Sequence, residues 1–175
     1  MGLTRARFSL PLFLLAVVLL LFPLLVAAGH QATGAGAKPA PIGVNAYEVD
    51  GVEVALISVK RISDGSLTAT WEYRNTTDEP KRLGASFTGM GSSEAWSLVY
   101  HSYLADAKTR IEYPVAKDIH GEPVGSKHGA GKVVVLPPHK TMSVWAKFLS
   151  VPQTLSKISV FVPGTAPFED VPITE

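Results

Sequence analysis

Ser66–Pro80, SLTATWEYRNTTDEP, decides the fold class. Leu67, Ala69, Trp71 and Tyr73 alternate with Thr68, Thr70, Glu72 and Arg74. A period of two places one face in a core and the other in water, which predicts a strand of an antiparallel sheet. The run stops at Asn75-Thr-Thr-Asp-Glu-Pro80, a cluster of turn formers closed by a residue that cannot donate to a ladder.

Working outward, the same logic repeats on both sides. Upstream, Val52–Arg61 (VEVALISVKR) is a β-branched run with apolar residues of both parities, expected as a strand buried on two sides or crossing a sheet edge. Ile62-Ser-Asp-Gly65 joins it to the central strand, with Asp-Gly as hairpin chemistry. Downstream, a weaker strand is expected around Ala85–Thr88. Ala95–Asp106 is ambiguous: Trp96, Val99, Tyr100, Tyr103 and Leu104 fit a helical stripe, while Trp96, Leu98, Tyr100 and Leu104 fit a strand. Aromatic content and strand-rich neighbours favour the strand. Lys108–Val115 predicts a short strand with Ile111 and Tyr113 on one face. Ala116–Gly131 (AKDIHGEPVGSKHGAG) reads as a long polar loop. Lys132–Leu136 starts a strand that Pro137-Pro138 breaks. In Thr141–Leu149, Met142, Val144, Ala146 and Phe148 point inward and Ser143 and Lys147 outward. Lys157–Val162 repeats that alternation, and Pro163–Glu175 is expected as an extended tail.

Seven or eight short strands separated by turn signals predict an all-β domain, an antiparallel β-sandwich of immunoglobulin-like architecture over residues 47–175. A closed barrel is the alternative. No cysteine occurs in the 175 residues, so disulfides, thiolate metal sites and cysteine nucleophiles are excluded.

The N-terminus predicts the compartment. Arg5 and Arg7 precede Phe8–Val26, which is almost wholly Leu, Val, Phe and Ala, and Val26-Ala27-Ala28 offers a small-residue cleavage site. Residues 1–28 are expected to act as a signal peptide or as an uncleaved, helical signal anchor. The apolar run exceeds the roughly 7–15 residues of an ordinary signal and just reaches the about 20 residues of a spanning helix. Both readings export the remainder, because the positive charges precede the apolar run. Residues 29–46, rich in Gly, Ala and Pro, are expected to form a flexible tether. Contact with a membrane is expected only through residues 1–28, if they are retained. Lys plus Arg is 16 against 15 Asp plus Glu, and without Arg5 and Arg7 the balance is 14 against 15. That near-neutral balance argues against a nucleic-acid partner, which calls for a basic face.

Three passages together resemble a known group. Trp71-Glu-Tyr-Arg-Asn75 with its following turn is one. The second is Tyr103-Leu-Ala-Asp-Ala107, Tyr113-Pro-Val and Asp118-x-x-Gly-Glu-Pro123. The third is Trp145-Ala-Lys-Phe148, Val151-Pro152, Ile158-Ser-Val160, Pro163, Pro167-Phe168 and Asp170-Val-Pro-Ile173. They resemble small exported bacterial immunoglobulin-like β-sandwich domains of unknown function, similar in architecture to a secreted mycobacterial β-sandwich antigen. The resemblance implies the fold and export, and no catalytic residue.

The side chains that could carry chemistry are few. His120 and His128 share the 116–131 loop with Asp118 and Glu122, a set that could hold Zn or Cu as imidazole and carboxylate ligands. Its spacing is not compact, and solvated loop side chains explain it equally. His101 and His139 stand apart, and Met142 belongs to an apolar strand face. No G-x-S-x-G elbow occurs, and Gly91-Ser-Ser-Glu94 lacks its second glycine. The carboxylate pairs Asp118/Glu122 and Glu169/Asp170 lie in polar segments, where nothing separates their pKa values. No motif asks for a cofactor. Asn75-Thr76-Thr77 matches a glycosylation acceptor, although a turn-forming Asn explains it as well. Trp145, flanked by Ser143 and Lys147 on its own face, could mark a partner or carbohydrate platform. The expectation is therefore a non-enzymatic exported module that docks an envelope or extracellular protein. Its contacts are expected at Trp145, His120 and Glu122, with metal or small-ligand binding by the 116–131 loop as the alternative.

Overall fold

A computed structural model of the chain describes residues 38–84, 98–128 and 133–175. These residues form antiparallel sheets and contain no helix. The expected export segment (residues 1–28), the Ala85–Thr88 strand and Gly91-Ser-Ser-Glu94 lie outside them.

The opening stretch becomes β3 (Leu67–Asn75), the centre of a four-stranded sheet with β1 (Gly43–Ala46), β2 (Val52–Arg61) and β8 (Thr141–Phe148) in the order β1-β2-β3-β8. Leu67, Ala69, Trp71 and Tyr73 are all buried, as the alternation predicts. Trp71 lies between Leu56 on β2 and Val144 on β8. The two-sided apolar pattern of β2 has a specific cause. Its register with β3 shifts between Leu56 and Ser58. This bulge at Ile57 inserts one residue, so Val52, Val54 and Leu56 face the core before it and Val59 faces the core after it.

A second four-stranded sheet has the order β10-β9-β5-β6, from β5 (Tyr103–Asp106), β6 (Ile111–Pro114), β9 (Lys157–Phe161) and β10 (Phe168–Pro172). A small pair, β4 (Lys81–Leu83) with β7 (Val134–Leu136), completes the ten strands among the described residues. Inward residues of all three sheets share one core, in which Trp71, Tyr73, Phe148, Leu56, Leu67 and Leu104 are fully buried.

Three expectations need correction. Gly43–Ala46 is not tether: it pairs with Glu53–Leu56 of β2, so ordered pairing begins before Tyr47. Turn formers dominate the composition there, but an edge strand needs only backbone pairing on one side. Leu98–His101 is a turn rather than strand, and only Tyr103–Asp106 of that segment extends. Leu98 and Val99 are still buried, because an apolar turn packs on the core. The C-terminal tail is also more than an extended coil. β10 pairs with β9, and the chain then crosses to the first sheet, where Arg61 donates to the Thr174 carbonyl and Thr174 to that of Val59. The tail thereby covers the β2 edge beyond the bulge, where β1 no longer reaches.

Asn75 closes β3 from inside. It is 3% exposed. Its amide nitrogen lies 2.6 Å from the Glu79 carbonyl and 3.1 Å from those of Leu136 and Pro137, and its oxygen accepts from the Thr77 N–H and hydroxyl. The acceptor-pattern reading is thereby corrected. The nitrogen that would carry a glycan is instead committed to tying the β3–β4 turn to the β7 end.

Candidate functional site

The 116–131 loop is the segment on which the sequence placed most of its functional weight. It does not project freely. Residues 129–131 lie outside the described residues; within 116–128, Ala116 donates to the Lys147 carbonyl on the outer edge of β8 (2.7 Å), Lys147 donates to that of Val124 (2.9 Å), and Val124 donates back to Ala116 (2.8 Å). Two residues away along β8, Ser126 N–H donates to the Trp145 carbonyl at 2.8 Å and the Ser126 hydroxyl accepts from the Trp145 N–H at 2.9 Å. Gly125 passes so close that a Cβ there would sit 2.7 Å from the Trp145 oxygen. The expected loop is thus partly an edge cover, built from short, Gly-rich segments with no period-two apolar signal to reveal it.

What remains between the stitches is a small hairpin, residues 117–123. Asp118 organises it. Its Oδ1 accepts from the His120 N–H (2.8 Å) and the Glu122 N–H (2.9 Å), while Asp118 and Glu122 also pair through their backbones. Gly121 supplies the positive φ (81°) that closes the turn. The Glu122 and His120 amides together hold the Asp118 carboxyl below the ordinary aspartate range. On the tip this arrangement leaves Ile119 95% exposed. The Lys117 ammonium lies 5.2 Å from the centre of the Tyr100 ring, anchoring the hairpin stem.

The proposed metal set is not assembled. Asp118 spends one oxygen on its own turn, and no three His, Asp or Glu side chains converge on a metal-sized space among the described residues. His120 and Glu122 flank the tip, and His128 lies beyond the Ser126 stitch. His139 sits apart with a left-handed backbone (φ 53°), its Nε2 2.7 Å from Asp78. Glu169 and Asp170 form the bulge of β10, and both are exposed.

Trp145 is where the alternation of β8 puts it, on the solvent face of the first sheet and 42% exposed. Thr70 is its direct cross-strand partner, followed by Ser58 on β2. One step along β8 pairs Lys147 with Thr68, and the opposite step pairs Ser143 with Glu72. Lys147 reaches Asp64 at 2.7 Å. The Lys147 ammonium, then the Ser66 hydroxyl and N–H, hold that carboxyl well below its usual range. Glu72 is almost covered and meets Lys38 at 2.7 Å and Arg74 at 3.0 Å. Burial pushes the Glu72 carboxyl up, but the Lys38 and Arg74 hydrogen bonds outweigh it, and the net shift is downward.

A groove of about 400 Å³ opens at the far end of the second sheet, lined by Asp106, Lys108, Ser156, Lys157, Ser159 and Asp170. Asp106 is occupied by the Thr109 hydroxyl and the Lys108 N–H, which together lower its pKa. The Asp106 carboxylate is therefore engaged by its own turn.

Trp145, His120 and Glu122 are thus brought to one edge by the backbone of Lys147 and its neighbours. Sequence reasoning missed Ile119 itself. The Asp118-x-x-Gly pattern around it is the available signal, inside a segment whose composition reads as a polar loop. No family model, no curated protein and no solved structure matches this chain.

Proposed function

We propose that the chain is a non-catalytic, exported module of immunoglobulin-like β-sandwich architecture. In this reading it docks a protein of the cell envelope or extracellular space beside the β8 edge, with the 117–123 hairpin as the contact. Export rests on the residue order of 1–28, in which Arg5 and Arg7 precede a long apolar run. The single observation that carries docking is Ile119. Water does not favour an isolated exposed isoleucine, yet four hydrogen bonds around Asp118 fix its position. A tip ordered in advance loses little conformational entropy when a partner pocket receives it. His120 and Glu122, either side of the tip, supply the polar rim.

The test replaces Ile119 by a photo-crosslinking amino acid in the full chain, expressed in its native envelope. A single stoichiometric adduct that disappears in an Asp118→Ala background supports docking at the tip. The absence of any adduct at position 119 removes it. The mass of the recovered chain also reports whether residues 1–28 were cleaved.

A further inference from the structure

A second surface carries different chemistry. We infer that the solvent face of the first sheet around Trp145 binds a neutral polysaccharide, the indole stacking on a sugar ring. The inference stands apart from the docking reading and assigns Trp145 to a ligand other than the partner of the 117–123 hairpin.

Across the strand from Trp145 stands Thr70, with Ser58 beyond it. Thr68 and Lys147 form the next row, Ser143 and Glu72 the row on the other side, each about 7 Å away at two residues of strand rise. No apolar side chain occupies any of these positions. A protein interface built on a tryptophan surrounds it with a desolvated apolar centre, whereas here the first apolar side chains, Ala55 and Val44, come only beyond Glu72 in the neighbouring row. A polyanion needs several unpaired cations, but the ammonium next to Trp145, on Lys147, is bonded to Asp64, which leaves the exposed Lys60, two strands away beyond Thr68, as the cation of that row outside an ion pair. On the other side Glu72 is held by Lys38 and Arg74. The two carboxylates nearest the indole are therefore internally neutralised, and neither calls for a cationic partner.

What fits is a ligand with an apolar face and a hydroxyl rim. A pyranose ring presents axial C–H bonds on one face and hydroxyls around its edge. The C–H face covers the indole, and the rim meets the Thr70, Thr68 and Ser143 hydroxyls. The paired Lys147 and Asp64 offer a donor and an acceptor at once. The platform is also firm. The Trp145 N–H and carbonyl are both bonded to Ser126 of the edge cover, and Trp145 faces Thr70 of β3 as a non-hydrogen-bonded pair within the β3–β8 ladder. Lys38, reaching over to Glu72, bounds the patch on one side.

Native gels cast with hydroxyethylcellulose, laminarin or glycol chitin test this with the full chain in detergent. Retardation by at least one polymer is expected. Trp145→Ala should weaken that retardation about tenfold, the scale of one lost aromatic stack, without changing mobility in polymer-free gels. Thr70→Val keeps the shape and β-branching but removes a hydroxyl, so a sugar should bind more weakly to it. An apolar protein contact would instead tighten. No retardation by any of the three polymers overturns the inference, as does full retardation of Trp145→Ala or tighter binding by Thr70→Val. A protein adduct at position 145 without polymer retardation also overturns it, while leaving the docking reading intact. Loss of the Ile119 adduct sinks the docking reading and leaves the polymer result untouched.

Discussion

Replacing Asn75 by Asp changes one atom and reverses the chemistry of the most connected buried polar group among the described residues. The wild-type amide offers two hydrogens to three carbonyls, those of Glu79, Leu136 and Pro137, at 2.6–3.1 Å. Its oxygen receives two donors from Thr77. Asn75→Ala deletes all of these and leaves the buried Leu136 carbonyl without that donor. At about 1 kcal/mol per bond, plus the cost of an orphaned buried group, the loss should be about 3–4 kcal/mol. Asn75→Asp keeps the two accepted bonds but aims a carboxylate at three carbonyls. At pH 7 it should therefore cost at least as much as Ala, a large part of the about 5–15 kcal/mol that holds a domain together.

The pH dependence separates the two variants. Burial and the facing carbonyls raise the pKa of the new carboxyl in the folded state above the about 3.9 of an unfolded aspartate. Between those two values the folded state holds more protons than the unfolded one, so stability falls as pH rises through the window. Protonated, the acid regains one donor. The Asp variant should then be less stable than the Ala variant at pH 7, and the gap should narrow or invert toward pH 4. Urea denaturation of both variants at the two pH values reads this as the midpoint multiplied by the slope. An Asp variant within about 0.5 kcal/mol of wild type at pH 7, the range of an ordinary surface change, would refute the reasoning. The Asn75 amide would then not be holding the β3–β4 turn to β7. The same geometry predicts that a mature chain from a glycosylating host carries no sugar at Asn75, which an intact mass checks.

Three further outcomes follow from other parts of the fold. Gly125→Ala puts a Cβ 2.7 Å from the Trp145 backbone oxygen, so the edge cover must lift from β8. The expected result is faster amide exchange at Ser126 and Lys147 and a tendency to self-associate through the uncovered edge, read by light scattering. Asp118→Ala should speed exchange of the His120 and Glu122 amides at least tenfold while shifting the melting temperature by less than about 3 °C, since the hairpin lies outside the core. Asp64, Glu72, Asp106 and Asp118 all have depressed folded pKa values. Their contribution is present above the unfolded carboxylate range, about 3.9–4.3, and is lost as pH falls through and below it, because the unfolded chain takes up protons first. Glu72→Gln should flatten that acid limb and cost about 1 kcal/mol at neutral pH, measured by denaturation from pH 7 to pH 3.

The strands with one wet face were legible because burial writes itself into the sequence at a period of two. β3 and β8 are of this kind, and Trp145 follows directly from β8. Segments held by backbone bonding alone were not legible. Gly43–Ala46, the Ala116 and Val124–Ser126 stitches and the Thr174 crossing bury little side chain, so their Gly, Pro and Ser content reads as loop. The Leu98–His101 turn was misread for the opposite reason: it is apolar without being extended. Of the candidate contacts, the alternation of β8 made the exposed indole of Trp145 legible. The sequence could not show that Asp118 is consumed by its own turn. That depends on two amide hydrogens pointing at one oxygen, which spacing alone does not encode.

The distribution of these backbone bonds also bears on how a partner could be held. An exposed sheet edge is the simplest docking device, since a peptide strand can add to it through main-chain bonds. This fold leaves little edge to use. The outer edge of β8 is taken by Ala116 and Val124–Ser126, and the β2 edge beyond its bulge by Thr174. β10 breaks its register at Asp170, whose left-handed backbone (φ 52°) turns the strand away from further pairing. β6 is four residues long and ends on Pro114, which has no N–H to give, and β1 is equally short. With strand addition discouraged in this way, recognition falls to side chains that the covered edges hold rigid. Ile119 and Trp145 are both positioned by the residues that cover β8. The same hydrogen bonds that protect the sheet from adding unwanted strands also fix Ile119 and Trp145, two of the large apolar groups exposed among the described residues. Lifting the cover with Gly125→Ala should therefore weaken both contacts together, and a variant that lost only one would show that cover and contacts are separable.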